Sequence, residues 1–209
     1  MQLAKTRLDR DARRELILDV AQGVFLEEGF ANASMSVIAA RLGGSKGTLY
    51  NYFKSKDDLF NAYVERRCLW QDEIFAMPSG DETPDETLRR IAAAYLRRVL
   101  TDFNLKNFRL ISAEAERSPE IGRTFYDAGP RKGGERVAEL LAGMQADGHL
   151  DLDDPLEAAH QFLGLAQNRY FKARLCNAIP ELTEKQIEDE AKLAANTFLR
   201  AFGRRSSFP

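Results

Sequence analysis

Between Met35 and Leu59 the sequence MSVIAARLGGSKGTLYNYFKSKDDL leaves the backbone few options. Met35, Ile38, Ala39 and Leu42 recur at i, i+3, i+4 and i+7, the spacing of one buried stripe on an α-helix. Gly43-Gly44 ends that helix, and Ser45 is placed to cap a second one, whose Leu49 and Phe53 lie four apart on a single face. Helical geometry then turns Gly47 and Asn51 away from the buried face, with Thr48 and Tyr50 beside them. A short helix that buries two side chains and exposes a small polar tip is shaped for insertion into a DNA major groove.

The same punctuation runs along the rest of the chain. Asp11 to Glu28 pairs apolar residues at Leu16-Ile17, Val20-Ala21 and Val24-Phe25 and stops at Gly29. Ser55-Lys56-Asp57-Asp58 reads as a capping box with Asp in place of Glu, opening a helix through Leu59, Tyr63, Cys68 and Trp70 to about Ala76. After the turn-rich stretch from Pro78, Thr83-Pro84-Asp85-Glu86 combines cap, first-turn proline and reciprocal glutamate. Phe108, Ile111 and Ala115 mark the following helix. Ser118-Pro119 opens another, which Gly129-Pro130 should kink or break, proline costing about 3 kcal/mol inside a helix. Asp154-Pro155-Leu156-Glu157 starts a helix reaching about Cys176, and Thr183-Glu184-Lys185-Gln186 the last, to about Phe202. No segment alternates with period 2, so the expected fold is all-α, with about nine helices.

At 209 residues, 44% hydrophobic and 30% charged, the chain has the composition of an ordinary globular protein. No apolar run approaches a membrane span, and the charged start lacks the apolar stretch of a signal peptide, so the expected location is the cytoplasm. Cys68 and Cys176 are too few for a disulfide framework, and their helical settings favour buried free thiols. His149 and His160 stand far apart and no Cys/His cluster has ligand spacing, so neither a metal nor a cofactor is expected. Gly43 to Thr48 lacks the spacing and the preceding strand of a phosphate loop. Glu114 and Glu116, two apart on a helix, face different ways and do not form a catalytic pair. Nothing in the sequence argues for an enzyme. The net charge of −2 conceals an asymmetry, because residues 1–56 carry +3 and the remainder −5. That fits a basic N-terminal module on an acidic body. The cluster Lys5, Arg7, Arg10, Arg13 and Arg14 is either a solvated arm or a set of phosphate contacts.

The N-terminal third resembles the TetR/AcrR family of bacterial transcriptional regulators over about Arg13 to Val64. Ile38-Ala39, Ser45-Lys46-Gly47-Thr48-Leu49-Tyr50, Tyr52-Phe53, Ser55-Lys56 and Leu59 all stand in the family's register. The remainder is more loosely similar to the AefR-like branch, through Ser112 to Glu120, Phe125-Tyr126 and Gly129-Pro130. Two positions depart from the family: Gly44 replaces an apolar side chain, which implies a looser turn, and Val37 replaces an acidic or polar one.

The resemblance implies a three-helix DNA-binding domain over residues 1–54, with the helix-turn-helix at about 34–53. It implies an effector-binding and dimerisation domain over 55–209, joined to the first through the helix that begins at Ser55. Tyr50 and Lys56, helped by Ser34 and Tyr52, then contact phosphates. Lys46, Gly47, Thr48 and Asn51 lie near base edges, where glycine lets the backbone approach closely, and Ser45 is counted with the DNA-binding residues. Plain helix surface competes with that role at Thr48, and core packing at Tyr52. Aromatic residues of the body, with Phe108, Arg109, Phe125, Gln161 and Asn168 as the named candidates, line a cavity for a small apolar or amphipathic effector. Leu156, Ala159, Leu163 and Ala166, with Ile187, Ala191, Ala194, Phe198 and Phe202, form the homodimer surface. Dimerisation sets two reading heads about one DNA turn apart, roughly 34–36 Å, to match a pseudo-palindromic operator. The implied activity is that of a repressor released from double-stranded DNA by its effector; the alternative is a small-molecule-binding protein or enzyme with a vestigial head.

Overall fold

The computed structural model describes residues 2–68, 74–75 and 82–204, with side chains from residue 10 onward. Its helices are α1 (Gln2–Asn32), α2 (Met35–Arg41), α3 (Lys46–Tyr50), α4 (Lys56–Arg67), α5 (Pro84–Val99), α6 (Asp102–Ala115) and α7 (Pro119–Tyr126). A π-helical turn (Asp127–Arg131) leads into α8 (Lys132–Ala146), followed by α9 (Pro155–Gln167), α10 (Phe171–Leu175) and α11 (Glu184–Phe202). The fold is all-α; among the described residues the only extended pairing is an isolated antiparallel bridge between Leu150 and Gly203. The helix expected to run through Cys68 and Trp70 to about Ala76 ends instead at Arg67, with Cys68 as its C-cap; Trp70, Ala76, the turn at Pro78 and the side chains of Lys5 and Arg7 lie outside the described residues.

Capping chemistry sets most helix starts. Ser34, Ser45 and Ser55 each sit in extended backbone and accept a hydrogen bond from the N–H three residues on. Thr83 with Glu86, and Thr183 with Gln186, complete reciprocal boxes. At Ser55 the box is altered: Asp58 Oδ2 accepts from the Lys54 N–H at 2.7 Å, so it closes on the residue before the cap. Pro130 is absorbed rather than fatal. It falls in the π-helical turn between α7 and α8, where the widened turn accommodates a residue that cannot donate.

Three further sequence expectations need correction. α1 begins at Gln2, well before Asp11, and its buried pair is Ile17 and Leu18, leaving Leu16 44% exposed. The helix expected to reach Cys176 breaks at 168–170 and resumes as α10. Cys176, at the C-cap of α10, is therefore exposed, whereas Cys68 is buried as expected.

The chain forms two compact units, residues 1–69 with 106–128, and residues 70–105 with 129–209. In the first, Phe60 meets Phe25 edge-on at 4.9 Å and Phe30 at 4.7 Å, with Tyr63 beside them. Ile17, Val24, Ile38, Leu49 and Phe53 surround that cluster, and Ile111 and Ile121 complete the same core. Each such buried side chain contributes about 1.5–3 kcal/mol of transfer free energy. In the second unit α11 packs along α5 and α9, and α9 along α8, around Leu88, Ile91, Leu141, Phe162 and Phe198. Ala159, Ala166, Ala191, Ala194 and Phe198, expected on a dimer surface, are buried inside this unit instead. Small residues at these positions let α9, α5 and α11 of one chain approach closely. On the same helices Leu156 and Leu193 stay 39% and 56% exposed.

Candidate nucleic-acid interface

Leu49 and Phe53, 1% and 2% exposed, anchor α3 in the first unit's core. Gly43, at φ +64°, makes the left-handed turn that brings the chain from α2 into α3. With those anchors fixed, Ser45, Lys46, Gly47, Tyr50 and Asn51 are all exposed, the last four on or just after α3. Thr48 is half-buried: its N–H donates to Ser45 Oγ at 3.1 Å and the two hydroxyls lie 3.0 Å apart. A β-carbon on Gly47 would meet Ser45 Oγ only at 3.7 Å, so packing does not require glycine there. Ser34 is half-buried as the cap of α2, accepting from the Val37 N–H at 3.2 Å. Tyr52 packs against the core with the Arg10 guanidinium 5.9 Å from its ring centre.

The cations of this unit fall into distinct groups. Arg41 is held by Glu27 at 2.6 Å and Glu28 at 3.2 Å, and Arg66 by Glu15 at 3.0 Å and Asp19 at 2.9 Å. Lys56 turns its ammonium onto the end of α1, donating to the carbonyls of Phe30 at 2.6 Å and Ala31 at 3.3 Å, with Nζ 4.3 Å from the Phe30 ring centre. That leaves one of its three N–H groups for another acceptor. Lys46 is exposed and has no acidic partner among the described residues. The arginines of α1 form a group that the sequence left undecided. Arg14 lies over Phe53 at 5.2 Å, Arg10 over Tyr52, and Arg13 beside the turn at Gly44. Their spacing of three and four was the available signal, because it continues the stripe of Ile17 and Leu18.

The effector candidates are placed unevenly. Phe108 and Phe125, both in the first unit, meet edge-on at 5.8 Å, and Arg109 is half-buried beside Phe108 in sequence. Gln161 and Asn168 belong to the second unit and are exposed on α9 and at its C-cap. The inward polar residue of α9 is Gln167, which accepts from Tyr95 Oη at 2.9 Å. Burial pushes the Tyr95 phenol up to about 12. Glu190, 5% exposed on α11, has Arg169 at 4.0 Å; burial raises its carboxyl above the usual range despite that charge. Glu114 is buried and Glu116 exposed, as their two-residue spacing requires. Among the described residues no group of three His, Cys, Asp or Glu is placed to hold a metal.

Comparison with known proteins accounts for this arrangement. The model for bacterial regulatory proteins of the tetR family matches residues 17–63, and that for the AefR-like transcriptional repressor C-terminal domain matches residues 86–204, more than half of the chain. The chain belongs to the TetR family. Its N-terminal part is 45% identical over 60 residues to the HTH-type transcriptional activator FasR of Mycolicibacterium smegmatis, covering 29% of this chain and 27% of that protein. A 102-residue match to the HTH-type transcriptional repressor BepR of Brucella suis is 29% identical, covering 48% of this chain and 49% of that one. The chain thus spans about half, or less, of the length of these curated relatives. The solved structure of the Flavonoid-responsive Regulator FrrA is 33% identical with a TM-score of 0.81, covering 94% of this chain and all of that one. Within a TetR-family regulator, α2 and α3 are the helix-turn-helix, and among the described residues no helix is long and apolar enough to cross a membrane.

Proposed function

We propose that this TetR-family regulator is a homodimeric repressor that reads double-stranded operator DNA through α3 and releases it when a small molecule binds. The observation that carries the reading is the exposed tip of α3: Lys46, Gly47, Tyr50 and Asn51 face outward from a helix pinned by Leu49 and Phe53. A bare backbone at Gly47, which packing does not demand, suits close approach to a groove wall. Thr48 and Asn51 reach base edges; Tyr50, Tyr52, Ser34, Ser45 and the remaining N–H of Lys56 position the phosphates. Residues 1–54 do the reading, and residues 55–209 sense and dimerise. Repression is supported by the AefR-like repressor description of the C-terminal match, and a planar aromatic effector by the likeness to a flavonoid-responsive regulator. The edge-on pair of Phe108 and Phe125 offers such a molecule a stacking surface.

Release requires that the effector bind more tightly to the conformation whose heads are wrongly spaced. A coupling of about 1–3 kcal/mol lowers operator affinity by roughly 5–150-fold. α4 is the lever, since it follows the reading helix directly and α7 packs on it. Gel-shift with the DNA flanking the protein's own gene, at several salt concentrations, tests the reading. A shifted band that weakens with salt and is lost on adding a flavonoid supports it. Binding without sequence preference refutes the operator; binding indifferent to a panel of small aromatics refutes the effector. Substitution of Thr48 or Asn51 should change which bases are preferred, and an unchanged preference removes them from direct readout.

A further inference from the structure

Gly44 stands where the family carries an apolar side chain, and the structure shows what occupies the vacated space. Its backbone is not left-handed, unlike Gly43 at φ +64°, so conformation alone does not demand glycine. Room does. A β-carbon at Gly44 would lie 3.4 Å from Arg13 Nη2, so the guanidinium of α1 rests against the bare turn between α2 and α3. The turn is therefore not left open, as the missing side chain had implied.

We infer that Arg13 is a DNA-phosphate contact, seated at the reading head by the absence of a side chain at Gly44. The inference rests on the DNA-binding reading above and adds a residue and its requirement. Three observations carry it. Arg13 is half-buried, yet among the described residues it has no acidic partner, whereas Arg41 and Arg66 are each held by two carboxylates. A guanidinium that no carboxylate holds is available to an incoming anion, and its planar fork matches phosphate oxygens two at a time. Arg10, about one turn before Arg13, and Arg14, next to it, lean on Tyr52 and Phe53, so two further cations of α1 lie against the segment that follows α3. Finally, Arg13 sits at the turn that leads into the exposed tip of α3, where a duplex entered by that tip brings its backbone.

The pair also makes a graded prediction. An alanine methyl at 44 reaches ordinary van der Waals contact with Arg13 and leaves it in place. A valine adds two γ-methyls beyond that point and displaces the guanidinium. The full-length protein and its variants are titrated with the duplex flanking its own gene and with a random-sequence duplex, from 50 to 200 mM salt. Arg13→Ala should bind both about five- to tenfold more weakly and flatten the log–log salt slope by about 0.9, one phosphate's worth. Arg13→Lys should keep the slope. Gly44→Val should lose the slope as Arg13→Ala does, Gly44→Ala should not, and the double variant Arg13→Ala/Gly44→Val should lose nothing further. An unchanged slope in Arg13→Ala overturns the inference, above all if its melting temperature falls, since that is the mark of a purely structural arginine. Fully additive effects at 13 and 44 overturn the seating. If the wild type binds neither duplex, the DNA-binding reading itself fails and takes this inference with it; if the wild type binds and Arg13→Ala matches it, this inference fails alone.

Discussion

Lys56 illustrates how one side chain can serve both the fold and the ligand. Replacing it with methionine keeps the aliphatic stem and removes only the ammonium. The bond to the half-buried Phe30 carbonyl, at 2.6 Å, is charge-assisted and short, in the class that contributes about 1.5–3 kcal/mol. The 3.3 Å bond to Ala31 is exposed and adds little, while the Phe30 ring contact at 4.3 Å adds about 0.5–1 kcal/mol. Together these give a loss of about 2–4 kcal/mol for Lys56→Met. For a chain of this size each kcal/mol moves the melting temperature by about 2–4 °C. Calorimetry of the 209-residue chain should therefore show a drop of roughly 4–16 °C in melting temperature, and urea denaturation the matching loss of stability. The third N–H is the one left for DNA, so the same variant should also lose about 0.9 from the salt slope. The two readouts are independent. Melting within a degree of the wild type refutes the carbonyl clamp, and an unchanged slope removes Lys56 from the phosphate contacts.

Three further outcomes follow from the second unit. Arg174, 4% exposed, donates to the carbonyls of Ile179 at 3.1 Å and Leu100 at 3.4 Å and to Asp102 Oδ1, whose side chain is 72% exposed. Arg174→Met should cost about 3 kcal/mol in urea denaturation and Asp102→Ala under about 1, because solvent screens the carboxylate but not the carbonyls; equal costs would contradict this. The Glu190 carboxyl titrates above its unfolded value of about 4.3, so the folded state binds the extra proton between the two. Wild-type stability should accordingly fall as pH rises through that window, and Glu190→Gln should be flatter there and more stable at neutral pH; parallel pH profiles would exclude the effect. A β-carbon at Gly203 would overlap the Leu199 carbonyl at the end of α11. Gly203→Ala should therefore open the bridge to Leu150 and speed hydrogen exchange of the Asp151 and Arg204 amides, which bond to Phe202 and His149; unchanged protection would show that the turn absorbs the methyl.

Local chemistry made much of this molecule legible in advance. Capping residues act through the three backbone positions beside them, so Ser45, Ser55, Thr83 and Thr183 announce their helices correctly. The outward set follows from Leu49 and Phe53, which are buried as expected, although α3 ends at Tyr50 and Phe53 anchors the segment just beyond it. What periodicity could not supply was the identity of the partner surface. The alanines of α9 and α11 read as a close-packing face, which is right, but the helices they admit belong to the same chain. The structural duty of Lys56 is not legible locally, because no local rule reveals that the carbonyls of Phe30 and Ala31, far earlier in the chain, lie within reach of its ammonium. Arg13 and Gly44 were noticed separately, one as a charge and one as a departure, since their relation exists only after folding.

The core that holds α3 in place includes Ile111 and Ile121, which arrive from the middle of the chain after the second unit has begun. This has a consequence for engineering. A fusion that grafts the first 54 residues, or even the first 69, onto a foreign body cuts through a hydrophobic core and strands Phe60 and Tyr63 without part of their cover. A chimera that exchanges sensors while keeping the operator must carry residues 106–128 with the donor of the head, as a discontinuous graft with three splice points, two of them inside helical segments. Swaps drawn at a single junction should yield sticky, poorly folded heads, whereas swaps drawn around this core should retain both a cooperative unfolding transition and the donor's DNA preference.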